Sequence, residues 1–352
     1  MFRTLARFLA GCLLLTACAT PGGLRHTEVP GLNGATALFD QAIVDQSTHR
    51  LYLADATLRS VDVFDVTGGS PRFLSSVRLG KAPHGLAIAD DLHKVFVGID
   101  GGAVAVIEGD PAAKNVNTVI ARIQTSAVKN VDLVDYDPSG HILWAASGDD
   151  ALLTKIDAIR NLPIGQSNLS KGLEQPRYNY GDHFLYLLNS SKNVLDQIDP
   201  DQLTIVNQWP LGVPCGPTGM GLDPKRNIAL IGCGDPTVFY ALEWDLSAGR
   251  RVQSFNQVGP ADQVVYDAAN DIYLVAGASS GVTAVGFFGG SPLAYLTLKL
   301  THADSRAAAL DAAIIVVFPP ASHTARPRPR NSPPPATEPT GPPVLPPPLA
   351  PP

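Results

Sequence analysis

The sequence predicts an all-β chain, a β-propeller. Three observations predict it: an internal repeat of blade length, short β-branched runs inside each copy, and no comparable window with a sustained helical period. Residues 47–66 read STHRLYLADATLRSVDVFDV, and close paraphrases return as LHKVFVGIDGGAVAVIEGD, SGHILWAASGDDALLTKIDA and ANDIYLVAGASSGVTAVGF. Aligned on the first apolar residue of each copy, the repeats begin at Leu51, Val95, Leu143, Leu185, Ile228 and Ile272, in steps of 44, 48, 42, 43 and 44 residues. That period is one four-stranded propeller blade.

Within one copy the strands read PHGLAIAD (Pro83 to Asp90), KVFVGID (Lys94 to Asp100), AVAVIEG (Ala103 to Gly109) and VIARIQT (Val119 to Thr125). Turn clusters such as DPSG, DPKR, DAAND and GDD separate such runs along the chain. A single sheet of this kind cannot bury both faces, whereas radial stacking covers them and leaves only short edges open. An α/β solenoid is excluded by the lack of helical periodicity. Six copies are clear. A shorter seventh is suggested by ADSRAAALDAAIIVVFPP (Ala303 to Pro320), whose Ile314 lies 42 residues beyond Ile272. Seven blades with an incomplete last one are therefore expected, with six as the alternative. The segment LRHTEVPGL (Leu24 to Leu32) is a candidate outer strand that would close the ring. The propeller is assigned to residues 35–318.

The pattern D-x-x-x-(x)-R-L-Y-[LV]-A-[DN]…V-x-V-[FI]-D, as in Asp45 to Asp65, resembles the YVTN repeat of YncE-like seven-bladed propellers. More distantly it is similar to the NHL and lactonase propellers. The resemblance covers roughly residues 35–318 and implies a fold. Its signature residues are strand and turn positions, so it implies little about activity.

Two terminal segments stand apart from the repeat. MFRTLARFLAGCLLLTACAT carries Arg3 and Arg7, then an apolar stretch from Phe8 to Leu15, then small residues. This reads as a bacterial secretory signal over residues 1–17, too short to span a bilayer. Its end, Leu15-Thr16-Ala17-Cys18, resembles the lipobox of lipoproteins, which implies diacylation of Cys18 and a lipidated N-terminus over residues 18–34. The other reading is an ordinary cleaved signal with a chance cysteine. Ala19 stands where an aspartate would argue for inner-membrane retention, so an outer-membrane protein facing the periplasm is expected. Acyl chains such as palmitate hold a protein at a membrane by about 0.8 kcal/mol per buried CH₂. At the other end, 15 of the 34 residues of 319–352 are proline, which forbids ladder pairing and favours an extended, disordered tail. That tail reads either as a spacer or cell-wall contact, or as low-complexity drift or a shifted reading frame.

Of four cysteines, Cys12 leaves with the signal and Cys18 is the acylation site, which leaves Cys215 and Cys233 in an oxidising compartment. Their midpoint falls at residue 224, inside the turn expected between CGPTGMGLD and RNIALIGC, so the two are expected to face each other across a hairpin. A disulfide is one outcome; two buried free thiols are the other.

Charge narrows the partners. The formal net charge is −6, and without Arg3, Arg7, Arg326, Arg328, Arg330 and Glu338 the remainder holds 21 basic and 31 acidic residues, a balance of −10. Such a surface repels phosphate backbones, so no nucleic-acid partner is expected. Several catalytic patterns also fail on context. GASSG (Gly277 to Gly281) matches G-x-S-x-G but joins two strands, where a nucleophile elbow needs a strand followed by a helix. DYDPSG (Asp135 to Gly140) opens like a calcium loop but has Ala146 at the twelfth position. Both read as turns. Eight histidines are scattered without paired spacing, so a structural zinc site has little support. The sequons at Asn168 and Asn189 carry no weight in a bacterial lipoprotein.

What remains is the axis. In propellers the first strand of each blade lines the channel, and residues at its entrance face the mouth. Aligning LFDQ, PHGL, NVDL, QPRY, PTGM, PADQ and DSRA places Asp40, His84, Asp132, Arg177, Thr218, Asp262 and Arg306 there. Three of these carboxylates suit a divalent cation, the one cofactor the sequence suggests, and His84 suits a base or a metal ligand. The plainer reading is that they solvate a water-filled axis. The expectation is a membrane-anchored monomer that acts as a binding or scaffolding module, contacting an envelope protein or small ligand through its funnel face, with a structural partner in an outer-membrane or secretion assembly as a further class. A lactonase-like hydrolase with a funnel metal or an acid/base site is the alternative, which His84, Arg177 and Arg306 permit without showing, and no catalytic residue is assigned.

Overall fold

The computed structural model describes residues 29–32, 37–68, 70–235, 237, 241–277, 284–300, 307–311 and 314–318. Six antiparallel four-stranded meanders follow one another along the chain. Blade 1 holds β1 (Phe39–Asp45), β2 (Arg50–Asp55), β3 (Ser60–Asp65) and β4 (Arg72–Arg78); blade 2 holds β5 (Pro83–Ala89), β6 (Lys94–Ile99), β7 (Ala103–Glu108) and β8 (Val119–Gln124). Blade 3 holds β9 (Leu133–Asp137), β10 (Ile142–Ser147), β11 (Leu152–Asp157) and β12 (Leu162–Asn168); blade 4 holds β13 (Leu173–Asn179), β14 (Phe184–Asn189), β15 (Val194–Asp199) and β16 (Thr204–Pro210). Blade 5 holds β17 (Pro217–Asp223), β18 (Ile228–Cys233), β19 (Ala241–Asp245) and β20 (Arg250–Phe255); blade 6 holds β21 (Ala261–Asp267), β22 (Ile272–Gly277), β23 (Ala284–Gly289) and β24 (Ala294–Leu300).

The first strands neighbour one another around an axis, and the ring is closed by a two-stranded sheet, β25 (Ala307–Asp311) and β26 (Ile314–Phe318), with β25 lying between β21 and β1. The fold is thus an all-β propeller. By complete blades the count is six, the second of the two counts the repeat allowed, with the partial sheet in the remaining sector. Among the described residues the one helical element is a 3-10 turn at Asp90–Leu92, and no helix is long and apolar enough to cross a membrane. Residues 1–28, with Cys18 and the signal, lie outside the described residues, as do the Gly277–Gly281 turn centre and the tail from 319. Val29–Leu32, the described end of the candidate closing strand, holds a turn rather than a strand.

Packing follows from position in the blade. Every second strand of the six blades is buried at its last five residues, because both faces meet a neighbouring blade. Such strands read as unbroken apolar runs. Outer strands such as β12 and β16 are largely exposed. Trp144, Trp244, Tyr52, Tyr186, Tyr273, Phe96 and Phe288 fill the clefts between blades with under 2% exposure.

The turn from first to second strand repeats with the same chemistry. Asp45, Asp137, Asp223 and Asp267 each accept a hydrogen bond from the amide two residues on, all at 2.9 Å, and Asn179 does the same toward Gly181. The turn ends on a left-handed residue: His49, His93, His141, His183, Asn227 and Asp271, with φ between 51 and 65°. Half of the eight histidines, read above as scattered, therefore occupy one repeated position in four successive blades. Histidine, asparagine and aspartate tolerate this conformation better than other side chains with a Cβ.

Cys215 and Cys233 form a disulfide, with Cα atoms 4.5 Å apart. Its place differs from the expected facing pair. Cys233 sits opposite Pro217 in the ladder, and Cys215 lies two residues before β17 begins. A bulge between Pro217 and Met220 shifts the register that the midpoint argument assumed constant.

Candidate functional site

The bulge that displaces Cys215 recurs and builds the site. In β1, β5, β13, β17 and β21 the register against the second strand shifts between Phe39 and Ala42, Pro83 and Leu86, Leu173 and Pro176, Pro217 and Met220, and Ala261 and Gln263. Each bulge takes one or two residues of the first strand out of the paired register at the same end of the axis, among them Asp40, His84, Glu174, Thr218 and Asp262. Asp132, immediately before β9, supplies the blade 3 equivalent.

His84 organises the mouth. Its Nδ1 lies 3.0 Å from Asp40 Oδ2 and 4.0 Å from Asp132 Oδ1, and its Nε2 lies 3.0 Å from Asp100 Oδ1. Burial disfavours the imidazolium, but the hydrogen bonds to Asp40 and Asp100 and the charges of Asp40 and Asp132 outweigh it and hold the pKa up at about 9. Asp132 is pushed up to about 6, by burial first and by the charge of Asp40 next, against the pull of His84. Glu174 is pushed up to about 8: burial comes first, and the charges of Asp132, Asp262 and Asp40 add to it, while the Ser190 hydroxyl, donating at 2.8 Å, works against it. Glu174 therefore feels Asp40 and Asp132, two of the carboxylates that face His84. The mouth is a cup of acids from blades 1, 3, 4 and 6, Asp40, Asp132, Glu174 and Asp262, with Asp100 of blade 2 as a fifth beside the imidazolium that blade 2 supplies.

A floor lies one residue deeper. Gln41 and Gln175, both buried, reach across the axis, with Gln41 Nε2 donating to Gln175 Oε1 at 3.1 Å. Gln41 Oε1 accepts from Leu86 N, Gln175 Nε2 donates to the carbonyls of Val134 and Pro176, and Gln263 Nε2 donates to the carbonyl of Ala42. Where blades 2 and 5 pass this level the residue is glycine, and a Cβ at Gly85 would lie 2.7 Å from Asp132 O, one at Gly219 2.6 Å from Asp262 O. Glutamines thus close the axis while glycines let the inner strands approach. The cup opens at one end and is blocked beneath.

The structure sorts the residues named from sequence. Asp40, His84 and Asp132 come together, with one ligand atom from each inside a 4.8 Å group, a set suited to a hard or borderline cation. Asp262 joins through its field on Glu174. Thr218 occupies the equivalent bulge, and its hydroxyl donates to the carbonyl of Ala261 at 2.6 Å. Arg306 lies outside the described residues. Arg177 is a correction: it sits three residues deeper than the mouth, where its guanidinium donates to Asp135 at 3.0 Å and to the carbonyl of Met220 at 2.9 Å. It is a strut between blades 3, 4 and 5, and burial pushes Asp135 up in spite of it. The blade 4 residue of the cup is Glu174. Its signal was present in the acid-glutamine pairs Asp40-Gln41, Glu174-Gln175 and Asp262-Gln263.

Two clefts elsewhere share no residue with the cup. One, of about 310 Å³ between blades 5 and 6, is lined by Arg226, Glu243 and Ser291–Leu293, yet Arg226 is held by Asp223 and Asp271, and Glu243 by Gln253. The other, of about 400 Å³, is an open groove between blades 2 and 3.

No family model matches the chain, and no curated protein does. In shape, 1581 chains of solved structures match, a breadth that carries fold rather than function. One is a chain from a structure described as "Crystal Structure of Mitotic Checkpoint Complex", with 14% identity, a TM-score of 0.65, and coverage of 87% of this chain and 93% of that one. At that identity the likeness establishes the β-propeller fold.

Proposed function

We propose that the chain is an envelope binding module, tethered by lipid at Cys18, that receives a cationic ligand in the axial cup. The observation that carries the reading is the convergence of Asp40, Asp132, Glu174 and Asp262 on a blind opening whose described cation, His84, is supplied by the chain itself. A ligand that brings its own positive charge relieves the repulsion among these acids. A divalent metal ion is the simplest such ligand, held by Asp40, Asp132 and the His84 ring once that ring has given up its proton. The anchor rests on the Leu15-Thr16-Ala17-Cys18 motif.

Calorimetric titration of the full chain with Ca²⁺, Mn²⁺ and Zn²⁺ tests the cup. At least one ion is expected to bind, and Asp40→Asn, Asp132→Asn and Asp262→Asn together weaken it tenfold or more. Equal affinity in the triple variant rules the cup out. Palmitate labelling that survives Cys18→Ala rules the anchor out.

The hydrolase reading has one specific observation in its favour, the metal-sized spacing of Asp40, His84 and Asp132. It predicts metal-dependent opening of simple lactones, lost in Asp132→Asn. Binding without turnover leaves the module reading standing alone.

A further inference from the structure

Blade 1 buries two carboxyls against each other. Asp55 ends β2, Asp62 lies within β3, and both are fully buried. Each has one oxygen in use. Asp55 Oδ1 accepts the Leu58 amide at 2.8 Å, and Asp62 Oδ1 accepts the hydroxyls of Ser60, at 3.3 Å, and of Ser76. The other oxygen of each, Oδ2, finds no N–H or O–H among the described residues. The two side chains are in hydrogen-bond contact with one another. Two carboxylates only accept, and away from water their charges repel, so the contact needs one proton between them.

The arrangement is particular to this blade. Blade 4 comes nearest, with Asn189 and Asp196 at the matching ladder positions, but its asparagine is neutral and donates to Ser170. In the other four blades neither position is acidic. The turn that Asp55 begins is also tied to both segments that enter the mouth. The Ala56 amide donates to the carbonyl of Leu38 at 2.9 Å, and the Leu38 amide donates to the Thr57 hydroxyl at 2.7 Å, two residues before Asp40. The Leu79 amide donates to the carbonyl of Arg59 at 2.9 Å, and Arg78 Nη1 to that of Leu58 at 3.2 Å, at the start of the linker that leads to His84.

We propose that Asp55 and Asp62 share one buried proton and form a pH-sensitive latch, closed while the proton is held and opened by its loss to solvent, on the turn that fixes the approaches to Asp40 and His84. Burial, first, pushes both carboxyls up from the usual 3.8, Asp62 to about 6; the charge of Asp55 adds to the rise at Asp62, while the Ser76 hydroxyl works against it there and the Leu58 amide works against it at Asp55. Arg78 on β4 also lowers Asp55 by its charge, and Arg59 stands in the turn itself. Of the charged groups on the strands packed around the pair, Asp40 on β1 and His84 on β5 hold each other, and Asp45, Arg50, Asp65 and Arg72 lie at the far end of the blade. Because both groups are raised, the folded chain keeps a proton that the unfolded chain has already released. The stability this lends is present in acid and is lost as the pH climbs past about 6, with the pair titrating as a unit. The latch does not depend on what the cup binds.

Hydrogen exchange in the full chain, resolved by amide and corrected for the intrinsic rise of exchange with pH, tests the latch. The amides of Ala56, Leu58 and Leu79 should lose at least about tenfold in protection between pH 5 and pH 8. Those of Leu169 and Leu211, which make the bond of Leu79 in blades 3 and 4, should keep theirs. Asp62→Asn puts a permanent N–H donor in place of the proton and should abolish the loss, leaving protection at the two pH values within about twofold. Asp55→Asn should do the same, and it serves if the first variant fails to fold. The proposal is overturned if the three amides stay protected at pH 8 in the unaltered chain, if Leu169 and Leu211 lose protection equally, or if the asparagine variants lose it as the unaltered chain does.

Discussion

Glu174→Gln should make this protein more stable, and more so as the pH rises. Glu174 is shielded from water and set among Asp132, Asp262 and Asp40, so the folded state raises its pKa from the ordinary 4.5 to about 8. Below pH 4.5 the carboxyl is neutral whether the chain is folded or not, and it contributes no pH dependence. Between about 4.5 and 8 the unfolded chain releases the proton while the folded chain retains it, so stability falls as pH rises through that window. A rise of about 3.5 sets a ceiling of roughly 5 kcal/mol at 1.36 kcal/mol per unit, and coupling to the neighbouring acids lowers the expectation to about 2–3 kcal/mol. Glutamine is neutral throughout and keeps an oxygen to accept the Ser190 hydroxyl, so the variant removes the charge with little loss of contact. At roughly 2 °C per kcal/mol for a chain of this size, the variant should melt about 5 °C higher than the unaltered protein at pH 8.5. At pH 4.5 the two should nearly coincide. Differential scanning calorimetry across that range decides it. A constant offset at all pH values, or a variant that melts lower at pH 8.5, would refute the electrostatic account of the cup. The same substitution should weaken cation binding, which is the usual exchange between a functional site and stability.

Three further outcomes follow from the packing. Cys215→Ser with Cys233→Ser removes a link that closes an 18-residue separation and should lower stability by about 3 kcal/mol, with reductant destabilising the native chain but not the variant in denaturant titration. Gly85→Ala should cost about 2 kcal/mol, because its Cβ would meet backbone atoms of Asp132 and Leu133 at 2.7 Å; a melting temperature within 1 °C of the unaltered chain would contradict the close approach. Arg177→Met should cost about 3 kcal/mol by leaving the buried Asp135 without its counter-charge, and adding Asp135→Asn, which keeps an oxygen for the Tyr178 amide, should recover part of it, which a double-mutant cycle in urea measures.

The blades were legible because their strands differ in burial, and burial leaves a mark on composition. Continuous apolar runs at Leu51, Val95 and Leu143 are second strands pressed between blades, and their spacing carried the architecture directly. The axial residues were legible only in part, since what brings them to the mouth is a bulge, and a bulge changes register without changing composition. Pro83 and Pro217 stand just before the mouth residues His84 and Thr218, and in blade 4 the matching proline dipeptide is Pro176-Arg177. There the proline follows the bulge, and the residue at the mouth is Glu174. The same shift moved Cys215 from the ladder position that a constant register assigns it. The repeated histidines form no visible pattern in the sequence for another reason. Their place is fixed by backbone handedness at the turn, and asparagine or aspartate serves as well in blades 5 and 6, so residue identity alone shows no repeat. The blade count was open in the sequence because the last copy of the repeat is short, and among the described residues that copy forms a two-stranded sheet.

The most direct test of the cup is the titration of the His84 ring, followed by NMR in histidine-labelled full chain stripped of metal ions. The geometry predicts one imidazole, absent in His84→Gln, that stays protonated at pH 8 and titrates near 9. If every histidine in the protein loses its proton below pH 7.5, the carboxylates do not converge on His84 and the cup is not built as described.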